Sequence, residues 1–286
     1  MLFCNERQIS SFCPSINDFL LFLLGLFQGT AGHGLGFSAL NTARSAVSTV
    51  ACINNIPVGQ HPLTKRFMKA AFNVKPVLPK TIITWDVDKV LFYLRSLSPV
   101  RSLSLYNLSR KLVTLLLLLS GQRGQTMTVL DIRNISISKS KVSLRIGELL
   151  KTSRPNFHQQ ELSFVGYAPD RRLCIIKVLN EYIDRTEPLR GSVTRLFITT
   201  RPPYVAVSRD TIARWTKQTL SDAGVDMTIF TPHSTRSAST SKAASNIPLD
   251  TIMKTAGWTQ ESTFSKYYKK DSKSSHSFDI AVLHGL

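Results

Sequence analysis

Acidic side chains are scarce in this sequence: 18 Asp plus Glu stand against 36 Lys plus Arg in 286 residues. The formal net charge is +18 and the pI about 10.1. Cysteine is scarcer still. Cys4, Cys13, Cys52 and Cys174 show no paired spacing for zinc and are too few for a disulfide scaffold, so they read as reduced intracellular thiols. Long apolar runs are missing. The stretch Phe19 to Phe27 is broken by Gly25 and preceded by Asp18, and the leucine block Leu115 to Leu119 stops at Ser120-Gly121. Each falls well short of the roughly 20 apolar residues that span a bilayer. The N-terminus has no basic stretch of the signal-peptide kind, since Arg7 is offset by Glu6. A soluble chain with no membrane partner is expected. There is no internal repeat, and no clustered Asp/Glu pair accompanies the basic residues, which argues against a metal-dependent nuclease. No metal or other cofactor is expected.

What is present is enough apolar material for a core, 43% of residues, which excludes a mainly disordered chain. The length suggests two domains at roughly 150 residues each. A large charge of one sign points to a polyanion. That charge is unevenly placed. Residues 1–60 are neutral, with Arg7 and Arg44 against Glu6 and Asp18, so residues 61–286 carry all of the +18.

Ser15-Ile-Asn-Asp18 is able to cap an apolar helix to Phe27, and Ser38 to Ile53 reads as a second helix after a glycine-rich turn. Pro57 to Pro62 breaks the chain. Leu63 to Phe72 then places Lys65, Arg66 and Lys69 within two helical turns; taken alone the trio is a solvated face. Residues 73–80 hold two prolines and no helical period, which marks a linker. Amphipathic patterns follow at Asp86–Leu97 and Leu105–Leu119. Alternation at Ile135–Ser138 and Val142–Ile146 across Lys139-Ser140 signals a hairpin, and Glu161–Gly166 supplies a third strand. Helical patterns return at Asp170–Arg185, Ser208–Ala223, Pro232–Ser245 and Leu249–Ala256. The fold class expected is mainly α with one small antiparallel β-sheet (α+β).

The basic residues around that sheet form an ordered series. Arg123 lies in Ser-Gly-Gln-Arg-Gly-Gln-Thr (120–126), and Lys151 in Ile-Gly-Glu-Leu-Leu-Lys-Thr-Ser-Arg-Pro (146–155). Thr231-Pro-His-Ser-Thr-Arg236 starts a helix, with Thr231 read as N-cap, so that His233 and Arg236 share a face. Lys-Thr-Ala-Gly-Trp (254–258) and the adjacent Tyr267 and Tyr268 complete the series. This order resembles the tyrosine recombinase (phage integrase-type) family, whose catalytic set runs Arg, Lys, His-x-x-Arg, His or Trp, Tyr. The wording of these motifs is most similar to recombinases of DIRS-like and Ngaro-like retrotransposons.

The resemblance implies a helical core-binding (SAM-like) DNA-binding domain over 15–72, a linker over 73–80 and a catalytic domain over 81–270, with tails at 1–14 and 271–286. It implies breaking and rejoining of double-stranded DNA through a 3′-phosphotyrosyl intermediate without metal or ATP, by a homotetramer acting in the nucleus. Arg123 and Arg236 would hold the non-bridging phosphate oxygens, since planar guanidiniums neutralise a pentavalent phosphate bidentately. Lys151 would protonate the departing 5′-oxygen. His233 would hydrogen-bond the phosphate or help activate the tyrosine, and the Trp258 indole N–H would donate another hydrogen bond. Lys65, Arg66 and Lys69 become DNA-backbone contacts. Two departures stand out. Thr126 occupies a position where many members carry an acid that orients the first arginine. The family's usual spacing makes Tyr267 the nucleophile, whereas Thr263-Phe-Ser-Lys-Tyr-Tyr268 matches the retrotransposon pattern and favours Tyr268. An inactive DNA-binding relative and a type IB topoisomerase are the alternatives.

Overall fold

The structure is a computed structural model that describes residues 2–29, 33–76, 83–151, 153–156, 158, 161–258 and 261. The chain divides into two compact units, Met1–Lys80 and Thr81–Leu286. Among the described residues no helix is long and apolar enough to cross a membrane.

The first unit contains α1 (Leu2–Glu6), α2 (Ile16–Gln28), α3 (Phe37–Ser48), the short strands β1 (Cys52–Ile53) and β2 (Ile56–Pro57), and α4 (Pro62–Val74). Ser15 caps α2, its Oγ accepting the Asp18 N–H at 3.2 Å. Phe19, Leu23, Leu40, Val58 and Met68 bury together as the core. The helix expected to reach Ile53 stops at Ser48 instead. Asn54 and Asn55 adopt φ of 49° and 62°, the left-handed conformation of a two-residue hairpin turn, so Ile53 pairs with Ile56. His61 Nδ1 accepts the Leu63 N–H at 3.3 Å at the start of α4, where Pro62 gives up no needed donor. The helix continues to Val74, two residues into the segment read as linker. Lys65, Arg66 and Lys69 are exposed on it.

The second unit is built around α6 (Leu105–Ser120), against which α8 (Ile175–Thr186), α9 (Arg209–Asp222) and α10 (Ser234–Ala244) pack. The leucines of α6 are buried on every side from Leu108 to Leu118, so this helix runs through the centre of the core. Further helices of this unit are α5 (Val87–Ser96), α7 (Gly124–Val129) and α11 (Leu249–Ala256). The strands β3 (Ile135–Ile137), β4 (Lys141–Arg145) and β5 (Glu161–Val165) pair antiparallel in chain order. Val142 lies opposite Phe164 and Leu144 opposite Leu162; all four are buried, so the sheet turns one face to the core. This is the mainly helical fold with a small antiparallel sheet that the periodicities predicted.

Two cations ride inside α6. Arg110 pairs with Asp222 of α9, and its Nε donates to Thr219 Oγ1 at 3.2 Å. Lys111 donates from Nζ to Leu97 O at 2.6 Å and Ser98 Oγ at 3.3 Å, closing the end of α5. Burial lowers the Lys111 pKa to about 8, with Asp170 opposing and Arg172 assisting. The helix expected from Asp170 begins only at Ile175. Asp170 instead takes Arg172 Nε at 2.9 Å and Arg95 Nε at 2.9 Å, and those pairs hold its segment as a turn.

Candidate active site

At the C-terminal end of α6 the chain needs a sharp exit, and Gly121 provides it. Its φ of 59° is left-handed, and its N–H returns to Leu117 O at 3.0 Å. A Cβ there would stand 2.9 Å from Thr240 Cγ2 on α10, so glycine is also what lets α10 come this close. The approach has a chemical result. The Gly121 carbonyl accepts a hydrogen bond from Arg236 Nη1, joining residues 115 positions apart. Two residues after Gly121, Arg123 occupies the N-cap of α7 with extended backbone.

Arg123, Lys151, His233 and Arg236 line one open cleft of about 460 Å³, together with Gln125 and Arg209. The four basic residues singled out in the sequence are thus brought together by four separate segments: the α6–α7 corner, the β4–β5 connection, the turn before α10, and α10 itself. Arg236 is the deepest, 1% exposed, while Lys151 and His233 stand at the open side. Trp258 lies outside the cleft lining. It is buried beneath Arg236, whose guanidinium carbon sits 4.1 Å from the indole ring centroid. Gly257, with φ of 69°, ends α11 and turns the chain back so that the backbone N–H of Trp258 donates to Met253 O at 2.9 Å. The geometry gives Trp258 the work of a π platform that orients and supports a cation, a task its ring performs whichever way its N–H points.

His233 is the electrostatic focus. Its pKa is lowered, first by loss of solvation in the crowded site, then by Arg123, Arg236 and Lys151. A neutral imidazole among three positive charges is a proton acceptor and hydrogen-bond partner, rather than a fourth fixed cation.

The start of α10 differs from the sequence expectation. The helix begins at Ser234 with His233 at the N-cap, and Thr231 does not cap it. Ser234 Oγ donates back to Thr231 O at 2.6 Å and accepts Trp85 Nε1–H at 2.8 Å, so residues 231–233 form a turn fastened by a tryptophan 149 positions away. No local pattern marks that bond. Thr126, where an acid was expected to orient Arg123, is buried instead. Its Oγ1 donates to Gln122 Oε1 at 3.2 Å, and Gln122 Nε2 donates to Thr255 O at 2.9 Å, tying the corner to α11. Arg209 and Gln125 were missed as cleft residues. Gln125 lies inside the quoted arginine motif, and Arg209 directly follows the Ser208 cap of α9, whose Oγ accepts the Thr211 N–H at 3.2 Å. Tyr267 and Tyr268 lie outside the described residues. Among the described residues no group of three His, Cys, Asp or Glu side chains is placed to hold a metal ion.

A sequence profile described as the phage integrase family matches residues 97–274, well over half of the chain. Curated protein sequences provide no significant match. Among solved structures, the Tn1549 transposon integrase in complex with transposon right-end DNA is similar with a TM-score of 0.58 at 12% identity, over 94% of this chain and 84% of that one. XerH site-specific recombinase bound to difH substrate gives 0.57 at 14%, over 88% of this chain and 68% of that one. A lambda integrase dimer bound to a core site gives 0.54 at 15%, over 93% and 83%. At these identities the likeness is one of fold.

Proposed function

This chain belongs to the phage integrase family, the tyrosine recombinases, and on that premise we propose that it cuts and rejoins double-stranded DNA through a covalent 3′-phosphotyrosyl intermediate. The observation that carries the reading is the convergence of Arg123, Lys151, His233 and Arg236 from four segments on one cleft. A phosphodiester seated there would place its non-bridging oxygens against Arg123 and Arg236, whose planar donors match the equatorial oxygens of the transition state. The tyrosine oxygen, assigned to Tyr268 in preference to Tyr267 on motif spacing, attacks phosphorus as the bond to O5′ breaks. Neutral His233 is suited to receive or share the phenolic proton. Lys151 delivers a proton to O5′, leaving a free 5′-hydroxyl. The phosphotyrosyl bond retains the energy of the broken linkage, so a second 5′-hydroxyl reverses the chemistry without ATP. No step asks for a metal, and Trp258 acts through Arg236.

The finer proposals rest on motif wording and family pattern. They are affiliation with the recombinases of DIRS-like and Ngaro-like retrotransposons, action in the nucleus, assembly as a homotetramer on DNA, and backbone contacts from Lys65, Arg66 and Lys69.

The deciding experiment incubates the full chain with a library of nicked duplexes bearing a randomised core, denatures, and sequences DNA covalently attached to protein. The wild type should yield adducts on a defined site in EDTA, and Tyr268→Phe should not. Adducts lost only in Tyr267→Phe would move the nucleophile by one residue. Salt-sensitive binding with no adduct would leave a DNA-binding relative, and relaxation of supercoils without recombinants would indicate a topoisomerase.

A further inference from the structure

The proposed reaction sets two requirements that pull on different parts of the chain. Arg123 must grip the phosphate from the α6–α7 corner, while Lys151 must reach the leaving oxygen of that same phosphate from the connection between β4 and β5. Lysine is a poor tool for this unless its backbone is held, because its charge rides on a long flexible stem. Fixing the separation of the two segments is therefore a catalytic problem in its own right.

The structure contains a strut at that point. Gln125, two residues after Arg123 and lining the same cleft, accepts the Lys151 backbone N–H at its Oε1 at 3.3 Å. The flanking residues are fastened as well. Leu150 N–H donates to Ser153 Oγ at 2.9 Å, Ser153 Oγ meets His158 Nδ1 at 2.7 Å, and His158 Nε2 meets Ile146 O at 3.1 Å. A carbonyl only accepts, so Nε2 carries a proton; with a neutral ring Nδ1 accepts from the serine hydroxyl, whose oxygen is left to accept from Leu150. Further back, Arg195 donates to Val129 O at 3.1 Å and pairs with Glu148. These bonds tie Ser153 and His158 to Leu150 and Ile146, and Arg195 moors Glu148 near the end of α7. Gln125 alone among these reaches the residue that carries the ammonium.

We propose that Gln125 is a positioning residue for the proton donor: by holding the Lys151 amide from the segment that carries Arg123, it fixes the distance between the group that binds the phosphate and the group that protonates O5′. This rests on the proposed strand-cleavage function and on Lys151 as proton donor.

The test uses a duplex carrying the site recovered by covalent capture, made with either oxygen or sulfur at the bridging 5′ position. A thiol is a far stronger acid than an alcohol, about 8.5 for a cysteine-like thiol, so a sulfur leaving group departs without being protonated. Single-turnover adduct formation is followed for wild type, Lys151→Ala, Gln125→Leu, Gln125→Glu and Arg236→Ala. Gln125→Leu should be slowed about 10- to 100-fold on the oxygen duplex, the usual cost of misplacing a catalytic group by an ångström. On the sulfur duplex it should return to within about threefold of wild type, as should Lys151→Ala. Gln125→Glu keeps an accepting oxygen but brings a negative charge to the phosphate site, so any slowing it shows should be the same on both duplexes. Arg236→Ala should be slow on both, because phosphate binding is lost whatever leaves. Equal slowing of Gln125→Leu on the two duplexes, or none on either, overturns the proposal. If Lys151→Ala is not rescued by sulfur, or the wild type forms no adduct, the underlying reading fails and this inference falls with it; rescue of Lys151→Ala without rescue of Gln125→Leu overturns the inference alone.

Discussion

Replacing Trp258 by phenylalanine separates two accounts of what an indole does in this site. The resemblance implies an N–H donor to the phosphate, whereas the structure lays the ring 4.1 Å beneath the Arg236 guanidinium, with the two residues 7% and 1% exposed. A desolvated cation–π contact contributes about 2 kcal/mol. At 1.36 kcal/mol per decade, losing all of it costs about 30-fold in rate, if Arg236 is held for the transition state. Phenylalanine keeps a smaller π face and should give up about half, a slowing near fivefold. Alanine removes the platform, should slow cleavage about 30-fold or more, and should destabilise the fold by about 3 kcal/mol through the cavity left under Arg236. Losing a donor to the reacting phosphate would instead cost about 100- to 1,000-fold. The assay is the single-turnover rate of adduct formation at saturating protein, well below each variant's unfolding temperature. Trp258→Phe falling a hundredfold or more, with Trp258→His keeping most of the rate, would refute the platform account and restore the N–H to the chemistry.

Other perturbations reach different parts of the molecule. Gly121→Ala forces an L residue into a left-handed conformation at about 1–2 kcal/mol and sets its Cβ 2.9 Å from Thr240 Cγ2; thermal unfolding should drop by several degrees, with part regained in Gly121→Ala/Thr240→Ser, and an unchanged midpoint would contradict the close approach. Lys111, at about 8 when folded against an ordinary 10.5, keeps its proton in the unfolded chain where the native state has shed it, so stability should rise with pH above about 8. Urea unfolding at pH 7.5 and 9.5 should show that rise, and Lys111→Met should flatten it. The His233 ring, followed by NMR in the free protein, should titrate below 6.5 and move upward as salt screens its three cationic neighbours; a midpoint at or above 6.5 would remove the electrostatic argument. Alanine at Lys65 or Lys69 should reduce the slope of log affinity against log salt by about 0.9 if each meets a phosphate, and a slope equal to wild type would make them a plain solvated face.

The sequence and the structure agree best where a signal is local and repeated. The helical periods of α5, α6 and α9 and the alternation in β4 and β5 sit where expected, because burial of one face fixes both period and register. The basic quartet was legible through motif order, since each segment carries its own recognisable neighbours. What escaped depends on partners distant in the chain. Nothing around Trp85 announces a bond to Ser234, and nothing around Gln125 announces the Lys151 amide. Helix starts were misplaced where polar side chains offered the backbone a competing turn, at Asp170 with its two arginines and at Thr231 with Ser234. The helical period of Ser38 to Ile53 hides the two-residue turn at Asn54-Asn55, whose left-handed backbone sends Cys52-Ile53 into a hairpin.

Trp258 also says something about protein synthesis. The ribosome delivers the two things this chain needs in a fixed order. Residues 1–256 hold 32 basic and 15 acidic side chains, a net +17 of the full +18. The ring that underpins Arg236 comes only afterwards, followed within ten residues by both candidate nucleophiles. A product terminated between α11 and Trp258 would therefore carry almost all of the positive charge and the four basic cleft residues, but neither the ring beneath Arg236 nor a nucleophile. Such fragments would occupy the same DNA as the finished enzyme, so premature stops near this point would yield competitors rather than mere losses.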